Sequence, residues 1–257
     1  MGNICRIQWL GCLNYGRAVK FQQRLVAKRA ANQIPNTLLL LEHPPTYSVG
    51  LGSREELLLI NRAELSQMNI AYYEADRSGS VIYHGPGQLA VYPIMNLQDF
   101  GYNFHSYVEA LEGVIMRVLR VFKIHAFRQP GQRGIWVLPR HEPYFAPRWV
   151  ETEDNIARVG LIGARVNNAQ ITSFGFYLNV TPDLSYFDFI MPRGLESRKV
   201  TSLYQVLNRD IEIGDVLAPV IQSFCELFQL EPMSKNLELL STVNQAKTTF
   251  ATTYRQQ

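Results

Sequence analysis

The stretch VIYHGPGQL, Val81 to Leu89, places an imidazole at the corner between two apolar runs. Gly85 and Gly87 carry no Cβ, so the backbone there can turn tightly or approach a ligand, and Pro86 fixes the bend. His84 is then held at the end of a strand. Residue type and spacing allow two roles for it: a polar ring that meets a ligand, or a half-buried turn histidine. The other histidines offer less. His43, in LEHPP, sits at a corner where a ring nitrogen bonds backbone. His105 stands near a helix start at the surface. His125 and His141 have no metal-ligand spacing with one another or with any cysteine, so neither a metal nor another cofactor is expected.

Nucleophiles are scarce. The three cysteines, Cys5, Cys12 and Cys225, are odd in number and lack CxxC spacing. That argues against a disulfide framework or zinc site, and each reads as a small buried hydrophobe in a reducing compartment. Thr172 and Ser197 supply hydroxyls, but chain order alone yields no Ser-His-Asp arrangement. Lys plus Arg is 25 against Asp plus Glu 22, a net charge of +3, too small a surplus to argue for nucleic acid. No run approaches the ~18 apolar residues of a membrane span. The opening MGNICRIQWLGC lacks the layout of a secretory signal, and Arg6 stands where a myristoylation motif has Ser or Thr. The expectation is a cytoplasmic protein.

Certain elements must position these residues. Asn3–Gly11 reads as a first strand, followed by an amphipathic helix with Ala18, Phe21 and Leu25 inside and Arg17, Lys20, Arg24 and Lys28 outside. NTLLLLEHPPTYSVG is a buried strand entering a Pro-Pro corner. SREELLLINRAELSQMN suggests a helix capped by Ser53. IAYYEADRS and SVIYHGPGQLAVYPIMNL are strands separated by Ser78-Gly79 and by the Gly-Pro-Gly turn. FHSYVEALEGVIMRVLRVFKI is the clearest helix. GIWVLP, IARVGLIGARV, QITSFGFYLNV and the lead into IMPRG read as strands, and IEIGDVLAPVIQSFCELFQL as a closing helix that Pro219 would bend. Uneven alternation of this kind predicts an α+β fold, one mixed or antiparallel sheet with helices packed on one face. A single domain over 1–231 is expected. Residues 138–155, with three prolines, form an inserted loop serving as a lid or partner contact, and 232–257 form a polar tail.

The segments ADRSGSVIYHGPGQLAVYPIMNL, GIWV, RVGLIGARV, ITSFGFYLNV, DLSYFDFIMPRGLE and VTSL follow one another in an order that resembles the octanoyltransferases of lipoate biosynthesis. The resemblance runs from about Ile7 to Leu230. It implies a fold similar to the lipoate and biotin protein ligases. It also implies transfer of an octanoyl group from acyl carrier protein to a lysine of a lipoyl domain, through a cysteine thioester assisted by a lysine. It places substrate contacts at Arg77, Ser78, Gly79 and Ser80, along Val81, Ile82, Tyr83 and His84, at Leu161, Ile162 and Gly163, and at Phe174, Gly175 and Phe176.

At the points where the resemblance implies chemistry, the chain departs from it. MPRGLE puts Arg193 where the family has cysteine, RVGLIGARV puts Arg158 at the lysine position, SFGFYLN puts Phe174 at a histidine position, and Ser78 replaces the first of two glycines. A guanidinium forms no thioester and is no base near neutrality. Lys199 is the one nearby lysine, with no thiol to activate. The expectation is an inactive or severely impaired transferase. The alternatives are transfer without a thioester, with His84 as base, or a module binding acyl chains, carboxylates or proteins, with 138–155 as a contact surface. Arg158 and Arg193 would either share an anion or pair with local acids such as Glu196, Asp188 or Glu74.

Overall fold

Six consecutive residues, Asn36 to Leu41, are buried. A strand without alternation needs cover on both faces, and the fold is built around this one. The structure, a computed structural model, describes residues 3–51, 57–138, 156–190 and 199–233. In chain order the first half holds β1 (Ile4–Cys12), α1 (Tyr15–Ala30), β2 (Asn36–Glu42), β3 (Thr46–Gly50), α2 (Arg62–Gln67), β4 (Ala71–Ala75), β5 (Val81–His84), β6 (Gln88–Ile94) and α3 (Phe104–Val121). The second half adds β7 (Ala126–Gln129), β8 (Gln132–Val137), β9 (Ala157–Ile162), β10 (Arg165–Val166), β11 (Thr172–Ser173) and β12 (Phe176–Asn179). It ends with β13 (Lys199–Val200), α4 (Leu203–Leu207), α5 (Ile213–Leu227) and β14 (Glu231–Pro232).

The main sheet runs β14-β1-β2-β6-β12-β9-β8-β7, with β13 also paired to β9. It is mixed: β1 lies parallel to β2 and β14, β13 lies parallel to β9, and the other neighbours are antiparallel. Its strands show two-residue periodicity against two different covers. Leu38, Leu40, Leu89, Val91, Phe176 and Leu178 point into a core shared with α3 and α5. Their neighbours Leu39, Leu41, Ala90, Tyr92 and Tyr177 point to the opposite side, where Tyr15, Ala18 and Leu25 of α1 meet them. Helices therefore cover both faces, not one as expected. The expected single sheet is also divided: β4-β3-β5 form a separate three-stranded sheet with its own core around Tyr47, Val49, Leu65 and Tyr83.

Caps set several boundaries. Asn61 and Asn103 each accept backbone N–H bonds in capping boxes at α2 and α3. α2 is thus shorter than the helix expected from Ser53: Leu58 sits in a bridge with Ile190, and residues 52–56 lie outside the described residues. The expected strand before IMPRG is a 3-10 helix, Leu184–Phe189, begun by Asp183, whose side chain accepts from the Ser185 N–H. α5 runs through Pro219 without interruption. The chain rejoins the main sheet at Glu231–Pro232, where the polar tail was expected to begin. Residues 139–155 of the expected insertion and 234–257 of the tail lie outside the described residues. Among the described residues no helix is long and apolar enough to cross a membrane.

Candidate functional site

Between the small sheet and the main sheet lies a cavity of about 320 Å³, its mouth included. β5 contributes Val81, Ile82 and Tyr83; β9 contributes Arg158, Gly160 and Leu161; β12 contributes Tyr177 and Asn179. Gln88 opens β6 on one side, and Phe187, Ile190 and Val200 close the other. The wall is mostly apolar, with two amides and one cation. Arg158 is half-buried, and burial pulls its pKa down to about 10. It stands opposite Trp136 in the β8–β9 register, and its guanidinium carbon lies 5.8 Å from the indole centroid. No carboxylate pairs with it among the described residues. Glu74 faces Arg62 at 3.4 Å instead, and Asp188 is exposed.

Behind the amides runs a chain of buried hydrogen bonds. The Arg77 Nη2 donates to the Ser48 Oγ at 2.6 Å and to the Ser48 carbonyl at 2.7 Å. Ser48 Oγ lies 2.7 Å from His84 Nε2, and His84 Nδ1 lies 3.1 Å from Gln88 Oε1. Gln88 Nε2 donates to Asn179 Oδ1 at 3.0 Å, and Asn179 Nδ2 to the Thr201 carbonyl at 3.1 Å. Arg77 can only donate and the Thr201 carbonyl can only accept, so every bond points the same way, from the guanidinium to Thr201. His84, 1% exposed, is held neutral: burial first, then His43 and Arg77, lower its pKa well below the ordinary value. Tyr15 stacks on its ring at 5.1 Å between centroids, and Tyr177 lies 4.5 Å away.

The structure sorts the expected contact residues. Val81, Ile82, Tyr83 and Leu161 line the cavity, whereas His84 stands one residue behind it, through Gln88. Arg77 is 1% exposed and spends its other Nη on the Ser78 and Ser80 carbonyls; Ser78 donates to the Ala164 carbonyl. Gly79 and Gly163 shape this backbone without lining the cavity, and Ile162 and Phe176 point into the helix-covered core. Phe174, at φ +53°, packs its ring edge-on against Tyr92 at 6.0 Å, and its N–H is held by Gln22. Gly175 follows it, where a Cβ would fall 2.3 Å from the Val91 carbonyl oxygen. Arg193 and Glu196 lie outside the described residues, as does the side chain of Lys199.

Two readings of glycine and cysteine change. Gly87 has φ +81°, and the close approach it permits is to the chain itself: a Cβ there would lie 2.4 Å from the Thr181 oxygen. Its N–H is bound by Glu42 at 2.7 Å, which fixes the turn internally. Cys12 was expected to be buried but is exposed at the end of β1. Cys5 and Cys225 are buried in the α3–α5 core, on the far side of the sheet from the cavity. Burial, with the Cys225 thiol beside it, raises Cys5; burial and Glu226 raise Cys225 to about 11. None of the chain's three cysteines therefore touches the cavity. His43 bonds the Leu13 carbonyl at 2.6 Å, as its corner suggested, and also Tyr92 Oη at 2.7 Å. Sequence reasoning passed over Ser48, Gln88, Tyr177 and Asn179. The spacing signal for the last two was present in FYLN, where alternate residues share a face.

Comparison with known proteins follows the same outline. Residues 14–225 match the model of the lipoyl protein ligase A/B catalytic domain. An octanoyltransferase of Chloroflexus aggregans is 37% identical over 225 residues, 88% of this chain and 95% of that protein. A mitochondrial octanoyltransferase of Arabidopsis thaliana is 36% identical over 76% of this chain and 75% of its own length. In fold, the chain superposes with a TM-score of 0.62 on a bipartite lipoate protein ligase of Thermoplasma acidophilum, at 12% identity, covering 95% of this chain and 92% of that one. P. falciparum LipL1 in complex with lipoate gives the same TM-score of 0.62 at 12% identity, over 94% of this chain and 70% of that one.

Proposed function

The chain belongs to the octanoyltransferase family of lipoyl protein ligase A/B catalytic domains, and on that premise we propose that its cavity holds an octanoyl-type chain without carrying it as a cysteine thioester. The family's work is octanoyl transfer in lipoate biosynthesis. The observation that carries the proposal is the placement of sulfur: both buried thiols sit under the helices and the exposed one ends β1, while Arg158 stands in the cavity wall. A thioester route needs a thiolate within reach of the acyl group. Arg193, at the position where the family resemblance puts the nucleophile, agrees with this reading.

Direct aminolysis with His84 as base gains no support. Both ring nitrogens are engaged, and the ring is walled off by Tyr15 and Tyr177. Partner contact belongs to the same proposal: a lipoyl domain as acceptor surface and an acyl carrier protein as source, with the exposed Arg17, Lys20, Arg24 and Lys28 of α1 suited to an acidic partner. So does a cytoplasmic location, supported by the free thiols.

The test is an intact-mass spectrum after incubation with an octanoyl thioester of acyl carrier protein, paired with complementation of a strain lacking its own octanoyltransferase. The native chain is expected to stay unmodified and to fail to support growth. A covalent octanoyl group on the native chain, or growth, overturns the proposal.

A further inference from the structure

Resting on the reading of the cavity as an acyl pocket, we infer that Arg158 makes it a receptor for the free carboxylate of a medium-chain acid. Four observations converge. Arg158 is the one charged side chain among the described residues of the wall, and none of those residues is acidic. It makes no ion pair with a described acid, and its described neighbour is the face of Trp136, which leaves the guanidinium edge without a carboxylate among the described residues. A guanidinium taken out of water without an anion is costly, so an anionic occupant gains more here than on the surface. The remaining wall, Val81, Ile82, Leu161, Phe187 and Ile190, is apolar and suits a hydrocarbon tail.

The polar wall groups narrow the class. Gln88 Nε2 and Asn179 Nδ2 each spend one of two N–H donors within the buried chain, so each amide has one N–H left for a small polar head. One planar, forked cation above an apolar slot matches a monocarboxylate: two oxygens meet two N–H groups, and the tail leaves water. A thioester or amide of the same acid presents a neutral carbonyl and uses half of that match.

The experiment is isothermal titration of the full chain with sodium octanoate and with octanamide, which share the tail and differ in charge. The native chain is expected to bind octanoate at least tenfold more tightly. Arg158→Gln should erase that preference, and Arg158→Lys should keep part of it. Equal binding of the two by the native chain overturns the inference and leaves the acyl-pocket reading standing, as does a preference that survives in Arg158→Gln. If neither ligand binds, the acyl-pocket reading falls and the inference falls with it. The native comparison needs no variant, so misfolding of Arg158→Gln does not blunt the test.

Discussion

The hydroxyl of Ser48 lies 2.7 Å from Nε2 of His84, in a hydrogen-bond chain whose far end fixes the tautomer of the ring. The Thr201 carbonyl can only accept, so Asn179 Nδ2 and Gln88 Nε2 donate, Gln88 presents its oxygen to Nδ1, and Nε2 of the neutral ring accepts from Ser48. Nδ1 then carries the ring proton and donates to Gln88. Protonating His84 would bury a second positive charge beside the Arg77 guanidinium and turn the Ser48 hydroxyl away from Nε2.

The first prediction concerns acid. Burial lowers His43 to about 4 and His84 well below 6.5, so the folded state keeps both neutral where the unfolded chain takes up protons. Stability is therefore full above about 6.5 and is lost as pH falls below it. For His43 the loss continues to about 4 and amounts to about 3 kcal/mol. Urea midpoints measured from about pH 7 down to about pH 4 should fall, and the fall should be shallower in His43→Gln. An unchanged slope in that variant would remove His43 from the account.

Arg77 holds three backbone carbonyls and the Ser48 hydroxyl from a position 1% exposed. Arg77→Met keeps much of the volume and leaves those acceptors unpaired, at a cost of about 3 kcal/mol. Chemical unfolding measures it. The same variant frees Ser48 to turn, so the His84 ring resonances should broaden or shift.

A matched pair tests the turn. Gly87 and Gly101 both have positive φ, +81° and +68°, but only at Gly87 would a Cβ meet protein, 2.4 Å from the Thr181 oxygen. Gly101→Ala should cost about 1 kcal/mol, the strain alone, and Gly87→Ala more than about 3 kcal/mol, because backbone must move. Comparable costs would mean the turn is looser than described.

Thiol accessibility gives a fourth measurement. Under native conditions one cysteine, Cys12, should react with an alkylating reagent, and Cys5 and Cys225 should become reactive with unfolding. Adding octanoate should leave the Cys12 rate unchanged, since no cysteine lines the cavity.

Much of the fold was legible because burial leaves periodic traces. The leucines of β2 and the helical stripe of α3 each announce their cover. What stayed hidden were interruptions: IARVGLIGARV and QITSFGFYLNV read as continuous strands, yet they break at Gly163-Ala164 and at Phe174-Gly175. A phenylalanine at positive φ carries no sequence signal, because Gly175 and Gln22 impose it from outside. For the candidate site, Tyr83 and Leu161 were anticipated, but the glycine-proline corner pointed to His84, whereas the wall is built by its partners. Gln88 and Asn179 lie 91 residues apart and meet only through sheet pairing, which no local window reveals.

β12 divides its labour residue by residue: Phe176 and Leu178 belong to the helix-covered interior, Tyr177 and Asn179 to the opposite side with the cavity. Folding energy and ligand chemistry are thereby insulated from each other by the thickness of one sheet. Such a scaffold can exchange its reactive groups for others, change occupation, and still fold as before.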